Sequence, residues 1–172
     1  MIITHRGITP TIHPSAYIQQ SAQVIGDVHI GEESSVWFNA VVRGDVCYIR
    51  IGARVNIQDN VTIHVFSGGI PTIIGDGVSI AHNVVAHACT IGAFTLVGMG
   101  AIVLDGAEVG EECLIGAGAV VSPRSKIPPR SLVLGSPAKV ARPLKPEEIA
   151  TLHRTAENYV RFAREYIDQR IP

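Results

Sequence analysis

Aromatic side chains supply only 5% of this 172-residue chain, although hydrophobic residues supply 47%. Ordinary cores are filled with Phe and Leu, and one built from Ile, Val and Ala has to be narrow. Net charge is also lacking: 14 Lys and Arg stand against 15 Asp and Glu, a formal charge of -1. That leaves no basic footprint for nucleic acid or an anionic membrane, and neither partner is expected. Cysteine is sparse, with Cys47, Cys89 and Cys113 far apart and no CxxC pair. With no signal peptide and no apolar run long enough to span a bilayer, the expectation is a soluble protein of the reducing cytoplasm.

What is present is a repeat. An aliphatic residue recurs every six positions at Ile12, Ile18, Val24, Ile30, Val36 and Val42, and again from Ile91 through Val97, Val103, Val109, Ile115, Val121 and Ile127 to Val133. Four places after each comes a small or β-branched residue, as at Ala16, Ala22, Val28, Ser34, Ala40, Thr95, Ala101, Ala107, Cys113 and Ala119. Two inward slots per six-residue rung are thereby specified. Gly often follows the aliphatic residue, which suits corners where a Cβ would clash or φ is positive. Three rungs closing a triangle make a coil of about eighteen residues, stacked at roughly the 4.8 Å strand spacing. The expected fold is an all-β solenoid, a triangular parallel β-helix of about seven coils. A β-sandwich would need period-two alternation and hairpin turns, and neither persists.

The register breaks twice, from Val42 to Ile51 across "RGDVCY" and from Ile63 to Ile74 across "HVFSGGIPT", and both breaks read as insertions bulging from corners. From Ala86 to Ile91 the rung is one residue short. The repeat domain is expected over residues 1–141. Residues 142–172 form a C-terminal segment with Pro146 in a first helical turn, Glu147 and Glu148 near its positive end, and Ile149, Leu152, Ala156, Tyr159, Ala163 and Tyr166 at helical spacing. This helix is expected to pack on the prism.

His64, His82 and His87 cluster in "IHVFSGGIPTIIGDGVSIAHNVVAHACTIG". With each insertion counted as part of one rung, Val42, Ile63 and Ala86 fall one coil apart. Arg43, His64 and His87 then share an outward slot on successive coils. His64 and His87 are close enough to share a metal with nitrogen bonds near 2.0–2.1 Å. His82 sits on the preceding rung and faces elsewhere, so the three do not converge within one chain. Side-by-side prisms around a threefold axis would let His82 of one subunit meet the pair on its neighbour. Three imidazoles with an open fourth position are the ligand set of catalytic zinc, and Zn is the default ion, although Fe, Co and Ni accept the same donors. His5, His13, His29 and His153 are read as solvated or packing residues. Cys89, although near His87, is assigned an inward slot like Cys113.

The motifs "RGD" at Arg43–Asp45, "NIQD" at Asn56–Asp59, the three histidines, "VGMGAIVLDGAEVG" and "LGSPAKVARPL" resemble the gamma-class carbonic anhydrase family. The resemblance implies a left-handed β-helix, a homotrimer, an interfacial metal held by His64, His82 and His87, and the hydration of carbon dioxide to bicarbonate. It further implies an intersubunit salt bridge of Arg43 with Asp45, Gln58 as the amide that orients the reacting hydroxide, and Asn56 and Asp59 as its polar surroundings. The family's best-studied type carries an acidic loop near the first ligand, whereas "VFSGGIP" here holds no carboxylate. Low turnover, for want of a built-in proton shuttle, is therefore expected. In Ala88 the chain also has a methyl group where the family commonly has Gly. The rival readings are an acyl-CoA thioesterase or hexapeptide acyltransferase, and a non-catalytic metal-binding trimeric scaffold.

Overall fold

The structure, a computed structural model, describes residues 1–169. Short parallel strands stack coil on coil into a left-handed triangular β-helix of about seven coils, followed by one helix, Pro146–Asp168. The six-residue period places each aliphatic residue directly over its counterpart: Ile57 pairs with Ile80, Ile80 with Val97, and Val97 with Ile115. These columns and the small residues four places on form one continuous core, with Ile30, Ile57, Ile63, Ile80, Ala101 and Cys113 fully buried. Burial of each Ile is worth about 1.5–3 kcal/mol. No helix among the described residues is long and apolar enough to cross a membrane.

The corners refine the expectation for glycine. Gly92 has an ordinary φ, but a Cβ there would lie 2.4 Å from the backbone nitrogen of Glu111 on the next coil. Close approach of stacked backbones, not backbone conformation, dictates that residue. The left-handed conformation falls two places later in the corner, at Asn39, Asn60, Asn83 and Phe94 among others.

One expected corner is different. The first insertion does not leave the sheet as a loop, because Val41–Ile51 is a single strand that turns the corner while paired with Gln23–Ile30. Its four residues Asp45 to Tyr48 stand opposite the single residue Asp27, where the register shifts between Gly26 and Val28. The second insertion does leave the prism, closed by a bridge between Phe66 and Ile70.

Three faces result, and their outward columns differ. One runs Val41, Thr62, Val85, Ile102, Val120. The next runs Arg50, Ile73, Thr90, Glu108, Lys126. The third runs Tyr17, Ser35, Asn56, Ser79, Leu96, Leu114, Leu132, and the helix lies across its earlier strands. Most of the few aromatics gather under that helix: Trp37 lies 5.1 Å from Tyr166 and 5.4 Å from Tyr17, ring centre to ring centre. Leu152, Ala156 and Ala163 of the expected apolar stripe are buried. The helix starts as its sequence suggests, with Pro146 in the first turn and the Lys145 N–H donating to Glu148 Oε2 at 2.8 Å. The expected division after residue 141 falls inside a short antiparallel strand, Lys139–Pro143, and residues 170–172 of the expected helical segment lie outside the described residues.

Candidate metal centre

Strand stacking assembles the first half of the site. Thr62–His64 pairs with Val85–His87 so that His64 lies directly beside His87. Their facing nitrogens, Nδ1 of His64 and Nε2 of His87, are 3.1 Å apart. On the outer sides, His64 Nε2 lies 3.0 Å from Asp45 Oδ1 and His87 Nδ1 lies 2.5 Å from Asp105 Oδ1. Asp45 also pairs with Arg43 within the same chain. Burial pushes the Asp45 carboxyl upward, but hydrogen bonds from His64 and Arg43 outweigh it and hold the group below its ordinary value.

Counting hydrogens along this line decides what it can hold. A carboxylate only accepts, so Asp45 takes the N–H of His64 Nε2 and Asp105 takes that of His87 Nδ1. A neutral imidazole has only one N–H, so both rings then turn lone pairs toward each other across 3.1 Å. Two facing lone pairs repel, and either a shared proton or a metal cation between them removes the conflict. Two bonds of 2.0–2.1 Å meeting at a tetrahedral angle separate their nitrogens by about 3.3 Å. The residues present therefore fit a divalent metal, with two anionic groups to offset its charge.

The second half lies at another corner. Ile57 pairs with Ile80, which sets Gln58 beside Ala81 and Asp59 beside His82. His82 Nδ1 is 2.7 Å from Asp59 Oδ2, so its remaining nitrogen, Nε2, is the one free to bind. A buried amide relay fixes Gln58: Asn56 Nδ2 donates to Ser79 Oγ at 2.8 Å, and Gln58 Nε2 donates to Asn56 Oδ1 at 3.0 Å. The carbonyl oxygen of Gln58 is left as an acceptor. Gln58 and His82 line a groove of about 510 Å³ with Leu96, Met99, Leu114 and Tyr159. Burial first, and the charge of Asp59 second, raise the Tyr159 phenol above its usual value.

The structure thus brings together Arg43, Asp45, His64 and His87 at one corner, and Asn56, Gln58, Asp59 and His82 at another. Among the described residues, no three His, Cys, Asp or Glu side chains of the single chain are grouped to hold a metal ion. Cys89 is a core residue whose thiol is pushed up to about 12, by burial first and by the charge of Asp105 second. The unforeseen member is Asp105. It stands two places after Val103, whose pairing with Ala86 a coil count would have supplied.

Residues 88–123 match the family described as bacterial transferase hexapeptide (six repeats). The chain is 48% identical over 166 residues to a carbonic anhydrase of Geobacillus kaustophilus, covering 96% of this chain and 91% of that one. It is 44% identical over 159 residues to the mitochondrial gamma carbonic anhydrase 1 of Arabidopsis thaliana, covering 90% of this chain. The chain spans 58% of the length of that relative. The crystal structure of a hexapeptide transferase family protein from Anaplasma phagocytophilum superposes with a TM-score of 0.93 at 38% identity, covering 96% of this chain and 98% of the other. The repeat, the stacked histidine pair and a relative matched along nine-tenths of its length lead to one assignment: the chain belongs to the gamma-class carbonic anhydrase family of hexapeptide-repeat proteins.

Proposed function

We propose that the protein interconverts carbon dioxide and bicarbonate at metal sites shared between the subunits of a homotrimer, with zinc as the default ion. The observation that supports this reading is the division of the site into two halves at the two corners that bound one face of the prism. In a trimer with that face toward the threefold axis, the His64–His87 corner of each copy meets the His82 corner of the next. The face is suited to burial. Its outward column of Val41, Thr62, Val85, Ile102 and Val120 is apolar but for one residue. The neighbouring face instead carries a Lys126–Glu108 ion pair at 3.5 Å, and the remaining face packs against the helix.

A bound divalent ion supplies Lewis acidity, lowering the pKa of water from about 15.7 toward about 7. The chain's own residues do the rest. Gln58, tied back through its amide nitrogen, offers its carbonyl oxygen to a water hydrogen and aims the lone pair at the substrate carbon. A neutral amide does this without the repulsion that a carboxylate would exert on the anionic product. Asp45, Asp59 and Asp105 hold the outer nitrogens of His64, His82 and His87. The segment after His64 offers exposed Phe66 and Ile70 but no carboxylate, so the proton leaves to solvent buffer and turnover is low.

The test is stopped-flow hydration on protein of measured zinc content, beside an acyl-CoA hydrolysis assay. His64→Ala chains and His82→Ala chains are then mixed and refolded together. Each parent should be inactive, and confirmed mixed trimers should regain hydration because some interfaces reunite an intact pair with an intact His82. Hydration absent from the zinc-loaded protein sinks the reaction. Absence of recovery in mixed trimers sinks the shared site. Acyl-CoA turnover instead would favour the rival chemistry, for which the leucine-lined groove beside His82 is the obvious acyl site.

A further inference from the structure

Asp105 belongs to a corner of the regular repeat, not to either insertion, yet it reaches His87. The pairing of Val103 with Ala86 brings the two corners into register, and the carboxylate Oδ1 lies 2.5 Å from His87 Nδ1. The corner is pinned on both sides. The Gly106 N–H donates to the carbonyl of Ala88 at 2.7 Å, and the Arg124 N–H donates to the carbonyl of Asp105 at 2.9 Å. The main chain that carries the carboxylate is therefore set by backbone stacking. His87 is the only hydrogen-bond partner of that carboxylate among the described residues.

We propose that Asp105 is a positioning residue that holds His87 as its Nδ1–H tautomer and so directs the Nε2 lone pair toward His64 and the metal; this rests on the metal reading above. A neutral imidazole in water prefers its hydrogen on Nε2, which would put an N–H where a ligand lone pair is needed. A carboxylate acceptor at Nδ1 reverses that preference, fixes the ring plane and makes Nε2 a stronger donor. Asp59 likewise lies 2.7 Å from His82 Nδ1, whereas Asp45 meets His64 at Nε2 and so leaves Nδ1 as the inner nitrogen. Each imidazole thus has its own carboxylate, and the one on His87 comes from the following coil of the same ladder.

The experiment compares wild type, Asp105→Ala and Asp105→Asn. Ring-nitrogen NMR of the metal-free, histidine-labelled protein at about pH 9, where ordinary imidazole is neutral, reads the tautomer directly. Wild type and Asp105→Asn, whose amide oxygen still accepts, should show His87 as Nδ1–H, whereas Asp105→Ala should shift it toward Nε2–H. Chelator competition then reads zinc affinity, expected to fall about 10- to 100-fold in Asp105→Ala and by much less in Asp105→Asn. An unchanged His87 tautomer in Asp105→Ala, or zinc affinity equal to wild type, overturns the inference. Wild-type protein that binds no zinc refutes the metal reading itself, and with it the purpose assigned to the tautomer.

Discussion

The coils from Ile91 to Val133 and those from Val41 to Thr90 have the same inward architecture but opposite outward habits. In the later coils every rung has six residues, the corners are tight, and outward pairs such as Lys126 with Glu108 or Arg130 with Glu112 are surface ion pairs. In the earlier coils the period is stretched twice and shortened once, and all three clustered histidines sit there. The lesson is that the core column tolerates no change of spacing, while the corners do. Ile51, Ile63, Ile74 and Ile91 are equally buried on either side of each irregularity. Additional residues are therefore taken up at the corners, where they bring Asp45 to His64 without disturbing the stack.

That contrast can be broken most severely at Gly92, a regular corner. Gly92→Val would drive side-chain atoms into the Glu111 backbone 2.4 Å away, and stacked backbones cannot part without breaking their hydrogen bonds. The expected cost exceeds about 4 kcal/mol, the range of exceptional single mutations, read as loss of the folded baseline in urea titration. A near-normal midpoint would mean that the stack is more compliant than described.

A smaller effect sharpens what outward charges do in the regular coils. Glu112 receives a hydrogen bond from His153 of the helix at 2.8 Å and one from Arg130 at 2.7 Å. These two, His153 first, hold its carboxyl below the ordinary value. A depressed folded-state pKa means that the ionised form stabilises the fold. The contribution is present above the usual carboxylate pKa and is lost as pH falls through the lower, folded one. Glu112→Gln should therefore unfold at lower urea than wild type at pH 7, by less than about 1 kcal/mol. The two curves should converge under acid. A gap that persists or widens at low pH would assign the effect to packing against Phe94, on which His153 stacks at 4.0 Å.

The smallest effect is expected at the shortened corner. Ala88 is fully buried and adopts a left-handed φ of 47°. Ala88→Gly relieves a conformational cost of about 1–2 kcal/mol. It also gives up a buried methyl worth about 0.8 kcal/mol and some entropy of the unfolded chain, which costs about 0.4–1 kcal/mol. Stability should stay within about 1 kcal/mol of wild type by these magnitudes, with zinc affinity unchanged. A large loss of affinity would show that the methyl group holds the His87 corner in place.

Counting alone recovered the coils, the pairing of His64 with His87 and the separation of His82, because a six-residue period leaves no freedom in register once each insertion is assigned to a single rung. It also recovered the helix, whose start signals and apolar stripe are local. It did not recover Asp105, although the register to find it was available, since nothing in "VLDGA" distinguishes a carboxylate that turns toward a histidine from one left in solvent. Nor did it show that the first insertion stays within a strand.

What the sequence determined by itself was periodicity, and with it the order of residues along every column. Which face lies under the helix was decided only by the closed prism. So was the path from Asp45 through His64 and His87 to Asp105. The reason is physical: a repeat specifies neighbours along the stack, whereas side chains that meet around a corner depend on the angle at which the backbone turns, and that angle is set by coils above and below packing against one another.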